Sequence, residues 1–435
     1  MRVLGNSPTL FAVLIVCLLL HVVEAQDEVR ERTGAHLFAR QLSCSKQKGI
    51  ESKSKSDPVG AANDVLKIKD VLEADGDLWF SNNLVSGTGD DEQVPWGHGA
   101  EFKPTPAALG NYLSGYALIP DSFNGFKLNR SMVFRTEGSK SVKVPFYVNA
   151  NYDADSIERV VLIWPGQWRD SWKYINIMGN AQRVAETHDQ LNIDKSKILL
   201  ISPMFFNQKD ADSGAAGDDE LYFKNAGWAV GDTSRGPSGF TNVSSFEVMD
   251  FFLDHIFDKS NFPNVKHAVM AGHSMGAQAT QRYALFGKPK KAYRDNISYW
   301  IGNPGSYTWL DEKYYNSSSS CDSASKWPFG FDHAPKYAEK KAKNKESTIS
   351  RYGDRRILYS FGLNDNGGQS DRCAPNTQGP NRLARGALYV KSLKSVFGDF
   401  PSNQLVDFVE CVSHQDYPMM AKFRTLEFVF SSRTD

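Results

Sequence analysis

Apolar positions along the chain fall into two periodicities. Val160-Val161-Leu162-Ile163-Trp164 and Ile198-Leu199-Leu200-Ile201 run without polar interruption, the pattern of short strands buried on both faces. Residues 132–135 and 142–148 flank Gly138-Ser139 and predict an antiparallel hairpin. Further strand-like runs cover 265–271, 298–302, 356–362 and 405–410. Between them, helical spacing covers 171 to about 187, 246–253, the stretch after Gly276, 382 to about 396, and about 418–431. Ser244 or Ser245 stands where the second of these helices needs an N-cap. Strands alternating with helices after an opening hairpin predict an α/β fold, a mostly parallel doubly wound sheet covered on both faces.

The two ends of this pattern behave differently. Residues 9–20 form an apolar block after Arg2, followed by Val23-Glu24-Ala25 and a charged stretch. That order predicts a secretory signal over 1–25, cut after Ala25. His21 and Glu24 leave the block too short for a membrane anchor, so no span is expected in the mature protein. Residues 26–128 form an uneven extension with a polar, linker-like tract over 43–58 and short apolar pieces at 65–68 and 78–80. Residues 129–435 carry the regular pattern. An excursion at about 303–355 is far longer than an ordinary connection. It holds Trp309, Tyr314, Tyr315, Trp327, Phe329 and Phe331. It is expected either to cap a site with those aromatics or to pack them on the core.

Charge narrows the partners. Lys plus Arg and Asp plus Glu both total 50, so no basic field favours nucleic acid, and a small-molecule substrate is expected; the oligomeric state stays open. Without Cys17 in the leader, Cys44, Cys321, Cys373 and Cys411 remain, an even count without ligand-type spacing. Export then favours disulfides over a metal site. Of three possible connectivities, Cys321–Cys373 is preferred, because both fall on loops at the same end of the sheet. Asn129, Asn242, Asn296 and Asn316 head glycosylation tripeptides.

The stretch that organises the chemistry is Gly272-His273-Ser274-Met275-Gly276, between an apolar strand and a run of small, helix-compatible residues. A serine at a sharp strand-to-helix turn projects its hydroxyl, and glycines on either side let strand and helix pass closely. The helix start offers N–H groups and partial positive charge to a developing oxyanion. The base is expected from a loop beyond a later strand, and His414 fits; His188, His255, His267, His273 and His333 are less suitably placed. The acid is expected after the strand over 356–362. Asp365 is preferred, with Asp371 further along the same loop as runner-up, while an Asx-turn is the plain structural alternative for Asp365. Met275 and Gln167 are the candidate oxyanion donors, with Arg169 and Asp170 close behind Gln167, either paired or exposed. No metal or cofactor is called for.

Ser274, Asp365 and His414, in that order, resemble the α/β-hydrolase superfamily over about residues 130–435. The segments Trp327-Pro328-Phe329-Gly330, Gly362-Leu363-Asn364-Asp365 and 373–382 are similar to a poorly characterised group of secreted fungal or oomycete serine-hydrolase-like proteins. The superfamily resemblance implies the α/β-hydrolase fold and acyl transfer, usually on esters, with these three residues as a triad. Peptide cleavage by the same triad, or a binding or effector protein that kept the fold and lost activity, are the alternatives. One departure is Ser413, where a glycine usually precedes the histidine.

Overall fold

The computed structural model of the chain describes residues 47–68, 94, 96–311 and 321–431. The leader, Cys17, Cys44, the apolar piece at 78–80, Tyr314, Tyr315 and Asn316 lie outside those residues.

A nine-stranded sheet forms the centre. Its strands, in chain order, are β1 (Ser122–Phe123), β2 (Phe126–Asn129), β3 (Phe146–Asn149), β4 (Arg159–Trp164), β5 (Ile198–Pro203), β6 (His267–His273), β7 (Ile297–Gly302), β8 (Arg356–Gly362) and β9 (Gln404–Val409). Across the sheet they lie in the order β9-β8-β7-β6-β4-β5-β3-β2-β1. The pairs from β9 to β5 are parallel; β3, β2 and β1 are joined antiparallel. The crossover between β4 and β5 and the parallel block beyond them give the strand order of the α/β-hydrolase fold.

Side-chain alternation divides the core in two. Val160, Leu162 and Trp164 of β4 face one cluster, with Ala268 and Met270 of β6 and Ile357, Tyr359 and Phe361 of β8. Val161 and Ile163 face the other, with Val269, Ala271 and Leu358. Helices α2 (Pro58–Val65), α4 (Ser245–Phe257), α5 (Met275–Phe286) and α6 (Arg382–Phe397) cover the first face. Helices α3 (Ser171–Glu186) and α7 (Phe423–Phe430) cover the second. A strand with apolar residues at every position therefore buries both sides, as its sequence demands. Residues 47–54 form a further helix, α1.

Three local departures from the sequence pattern have physical causes. The run at 142–148 is two strands: Lys140–Lys143 pairs with Val133–Glu137 in a separate hairpin, and β3 begins only at Phe146. Pro145 interrupts it, since it has no N–H for a ladder and gives only its carbonyl, to Met204. The final helix breaks into Asp416–Met420 and α7; between them Lys422 takes an extended conformation and pairs with Glu51 and Glu410. The extension contributes to the core through Ala61, Ala62 and Val65. Ser244 caps α4 and forms a capping box with Glu247.

In the 303–355 excursion, Trp309 and Phe331 are buried in the first core cluster and Trp327 packs against it. Trp327 meets the Phe286 ring and donates its indole N–H to Val230 O at 2.9 Å. Trp309, Trp327 and Phe331 thus take the core-packing role, whereas Phe329, also buried, faces the Arg372 guanidinium at 5.9 Å. Asp250 anchors the segment by accepting from Tyr283 and Tyr337, each at 2.5 Å. Cys321 is joined to Cys373 at 2.04 Å across 52 residues of sequence, and Cys411 is disulfide-bonded as well. Asn242 and Asn296 are exposed, whereas Asn129 is half-buried and accepts from Ser131. Among the described residues, no helix is long and apolar enough to cross a membrane.

Asp407, buried in β9, has no hydrogen-bond partner on either oxygen among the described residues. Burial, then the charge of Glu51, pushes its carboxyl up from 3.8 to about 6. A raised carboxyl favours the fold below the unfolded value and withdraws that support as pH rises through about 6. Urea unfolding between pH 4 and pH 7 should therefore show wild type losing up to about 3 kcal/mol relative to Asp407→Asn over that interval; parallel pH profiles for the two proteins would contradict this.

Candidate active site

Strands β6, β8 and β9 are parallel, so their C-terminal ends open onto one edge of the sheet. β6 ends at His273, and Ser274 follows with φ 57° and ψ −118°. A non-glycine residue held there costs about 1–3 kcal/mol, and the surroundings impose it. A Cβ on Gly272 would sit 2.3 Å from the Gly276 carbonyl group, and one on Gly276 would sit 2.6 Å from Pro165 O. Strand and helix therefore approach more closely than any side chain permits. Ser274 N–H donates to Gly302 O at 2.9 Å, tying the turn to β7.

His414 Nε2 lies 2.8 Å from Ser274 Oγ, and His414 Nδ1 lies 2.7 Å from Asp365 Oδ2. Burial alone would raise the Asp365 carboxyl, but His414 and Arg382 outweigh it and hold it below the ordinary carboxylate value. An ionised Asp365 only accepts, so His414 Nδ1 is the donor to it, which leaves Nε2 as the ring nitrogen facing the serine hydroxyl. The other oxygen, Oδ1, accepts from Arg382 Nη1 at 2.8 Å. Asp365 thus gives one oxygen to the imidazole and the other to the guanidinium. Asp371 is exposed further along the loop.

The remaining histidines are placed elsewhere or differently. His267, at the far end of β6, bonds Ser298. His273 is buried beside the site, with its ring 4.9 Å from that of His414. Burial, then the His414 charge, pushes its imidazole well below 6.5, so it stays neutral.

Gln167 and Met275 line the same cleft as Ser274, whose volume is about 360 Å³. Behind Gln167, Arg169 takes a positive φ of 61° and pairs with Asp210, at 2.7 Å from Nε and 3.0 Å from Nη2. Its partner is therefore Asp210, which the sequence did not single out, and not Asp170. Asp210 also closes a capping box with Asn207 and accepts from Tyr116 N–H. Trp168, exposed and stacked on Tyr112 at 5.2 Å, forms part of the cleft wall. Lys173 and Asp416 make a buried ion pair of 2.8 Å at the same wall.

The site's supports were the least visible part of the sequence. Asn303 accepts from Gly362 N–H at 2.8 Å and donates to Ser413 O at 2.9 Å. Ser413 donates its hydroxyl to Asn364 O and its N–H to Gln415 Oε1; its side chain thereby joins the loops bearing Asp365 and His414, where a glycine would offer none. Most unexpected is Gln47 of α1, wholly buried. Its Oε1 accepts from Cys411 N–H at 2.7 Å and its Nε2 donates to Asn364 Oδ1 at 2.8 Å. One amide therefore bridges the loop bearing His414 and the loop bearing Asp365. A lone glutamine in a polar tract carries no periodic or motif signal that would reveal this. Among the described residues, no group of three or more His, Cys, Asp or Glu could hold a metal ion.

No protein-family model matches the chain, and no curated protein matches it. Solved structures with a similar outline include poly(aspartic acid) hydrolase-1 from Sphingomonas sp. KT-1, at 16% identity over 69% of this chain and 98% of that one, with a TM-score of 0.45. An IroE-like serine hydrolase from Shewanella oneidensis gives 10%, 70% and 80%, with a TM-score of 0.37. A fungal esterase structure from Rhizomucor miehei gives 12%, 70% and 81%, also with a TM-score of 0.37. The fold stands on this chain's own strand order, and none of these likenesses bears on its chemistry.

The Gln47 bridge is testable by stability alone. Gln47→Ala leaves a buried N–H and a buried amide without partners, at about 1–3 kcal/mol for each group. Urea unfolding should show that loss, while Lys48→Ala, exposed on the same helix, should change stability by less than about 0.5 kcal/mol.

Proposed function

We propose that this protein is a serine hydrolase that cleaves a carboxylic ester or a related acyl bond. The observation that carries the reading is the continuous hydrogen-bond chain from Asp365 through His414 to Ser274 at the mouth of a cleft. Ser274 Oγ attacks the acyl carbon as its proton passes to His414 Nε2. The carbonyl π electrons move onto oxygen, where the Met275 and Gln167 N–H groups receive the negative charge. Collapse of the tetrahedral adduct breaks the bond to the leaving group, which takes the proton from Nε2. Water then enters, His414 removes its proton, and a second collapse frees the acid and restores Ser274. Asp365 keeps Nδ1 protonated throughout and offsets the imidazolium charge, while Arg382 keeps Asp365 ionised and in place.

The protein works outside the cell after loss of residues 1–25. The Cys321–Cys373 bond supports that location, since such bonds persist in oxidising compartments.

A fluorophosphonate probe should label the folded, processed protein on Ser274 and leave Ser274→Ala unlabelled; absence of label on the wild type would sink the proposal. With a reactive ester such as 4-nitrophenyl acetate, Asp365→Asn should lower kcat by about ten-thousandfold, because the imidazole then loses the partner that selects its tautomer. Turnover at the wild-type rate in His414→Ala would remove His414 from the mechanism.

A further inference from the structure

The cleft has an imbalance of charge that the triad does not use. Four cationic side chains line it, Lys173, Arg372, Arg382 and Arg385, against one acidic residue, Asp170. Burial raises the Asp170 carboxyl above its ordinary value, which weakens even that negative charge. Lys173 and Arg382 are matched by Asp416 and Asp365, at 2.8 Å each.

Arg385 is held differently. It donates to Gly379 O at 2.9 Å, Gly305 O at 2.9 Å, Gly368 O at 2.8 Å and Asn376 Oδ1 at 3.2 Å, all of them neutral acceptors. Arg282, buried behind the cleft residues Gln278 and Ser306, likewise donates to neutral oxygens of Gln278, Ser306, Ala229 and Pro328. Arg372 is exposed, with its guanidinium 5.9 Å from the centre of the Phe329 ring. Among the described residues, no carboxylate pairs with any of these three guanidinium groups. For Arg282 and Arg372 the proximity registers as a cost: burial, then the Arg372 charge, pushes Arg282 down to about 9.

Holding Arg282 and Arg372 near each other with no carboxylate in contact with either is unfavourable unless something at the site gains from their field. A neutral ester meets that field only through its developing oxyanion, which the Met275 and Gln167 N–H groups already receive. A carboxylate entering the cleft gains charge-assisted, bidentate pairing with an exposed guanidinium, and the two buried ones reinforce the attraction. We infer that the substrate carries a carboxylate near the scissile acyl group, received by Arg372 with Arg385 and Arg282 behind it. This inference names the substrate class and rests on the hydrolase reading.

Two matched ester pairs test it. One places the charge in the acid part, 4-nitrophenyl hemiglutarate against 4-nitrophenyl valerate. The other places it in the alcohol part, the acetate ester of 4-hydroxybutyrate against butyl acetate. In at least one pair the anionic member should exceed the neutral one in kcat/KM by about tenfold, the size of one charge-assisted contact. Arg372→Gln should bring that ratio to within about twofold, and 0.5 M NaCl should lower it in the wild type. Equal rates in both pairs, or a ratio untouched by Arg372→Gln, would overturn the inference. Fluorophosphonate labelling of Ser274 separates this failure from failure of the hydrolase reading. If Ser274 does not label, calorimetric titration with glutarate against 1,5-pentanediol still decides the anion site. Binding of glutarate alone, lost in Arg372→Gln, supports it, and indifference between the two counts against it.

Discussion

The arrangement depends on one buried carboxylate with two claimants. Asp365 gives one oxygen to the imidazole of His414 and the other to the guanidinium of Arg382. A buried carboxylate without such partners would take up a proton and lose its hold on Nδ1. With them it stays charged, and its position is set from two directions at once. The second direction is structural: Arg382 opens α6, whose first turn also ties back to the acid loop through Leu383 N–H to Asp365 O and Arg382 N–H to Gly367 O. The α6 helix therefore supplies both the counter-ion and the frame.

The elbow adds a complementary constraint from the C-terminal end of β6. The strained Ser274 is tolerated because Gly272 and Gly276 permit β6 and α5 to pack against each other and against the β4 loop. His414 comes from a third segment. Relative placement of these three loops is left to side chains that take no part in bond making, namely Asn303, Ser413 and Gln47. Gln47 is the farthest in sequence, 364 residues from Cys411, and it turns part of the N-terminal extension into an internal brace.

Legibility in the sequence followed the physics of each feature. Strands buried on both faces advertise themselves, so β4, β5 and β8 could be read almost residue for residue. The order Ser274, Asp365, His414 was readable because each falls just past such a strand, and hydrogen bonds run from Asp365 to His414 and from His414 to Ser274. The strand over 142–148 was misjudged because its apolar alternation hides what Pro145 forbids. Arg169 illustrates a different limit. Its partner, Asp210, lies 41 residues away in a loop with no periodicity, so no local pattern could choose between pairing and exposure. The same holds for Gln47 and Asn303, single polar residues whose meaning exists only after the chain has closed on itself.

The Cys321–Cys373 bond acquires a further sense from what stands beside it. Arg372 immediately precedes Cys373, and Ser370 and Pro375 of the same loop line the cleft. In the chain-entropy view, closing a loop of this length contributes about 4 kcal/mol. The wall facing Ser274 is therefore covalently completed only when two thiols have been oxidised. The bond thus ties the segment bearing Arg372 to a residue 52 positions earlier in the chain, and the cleft's contour carries that tether.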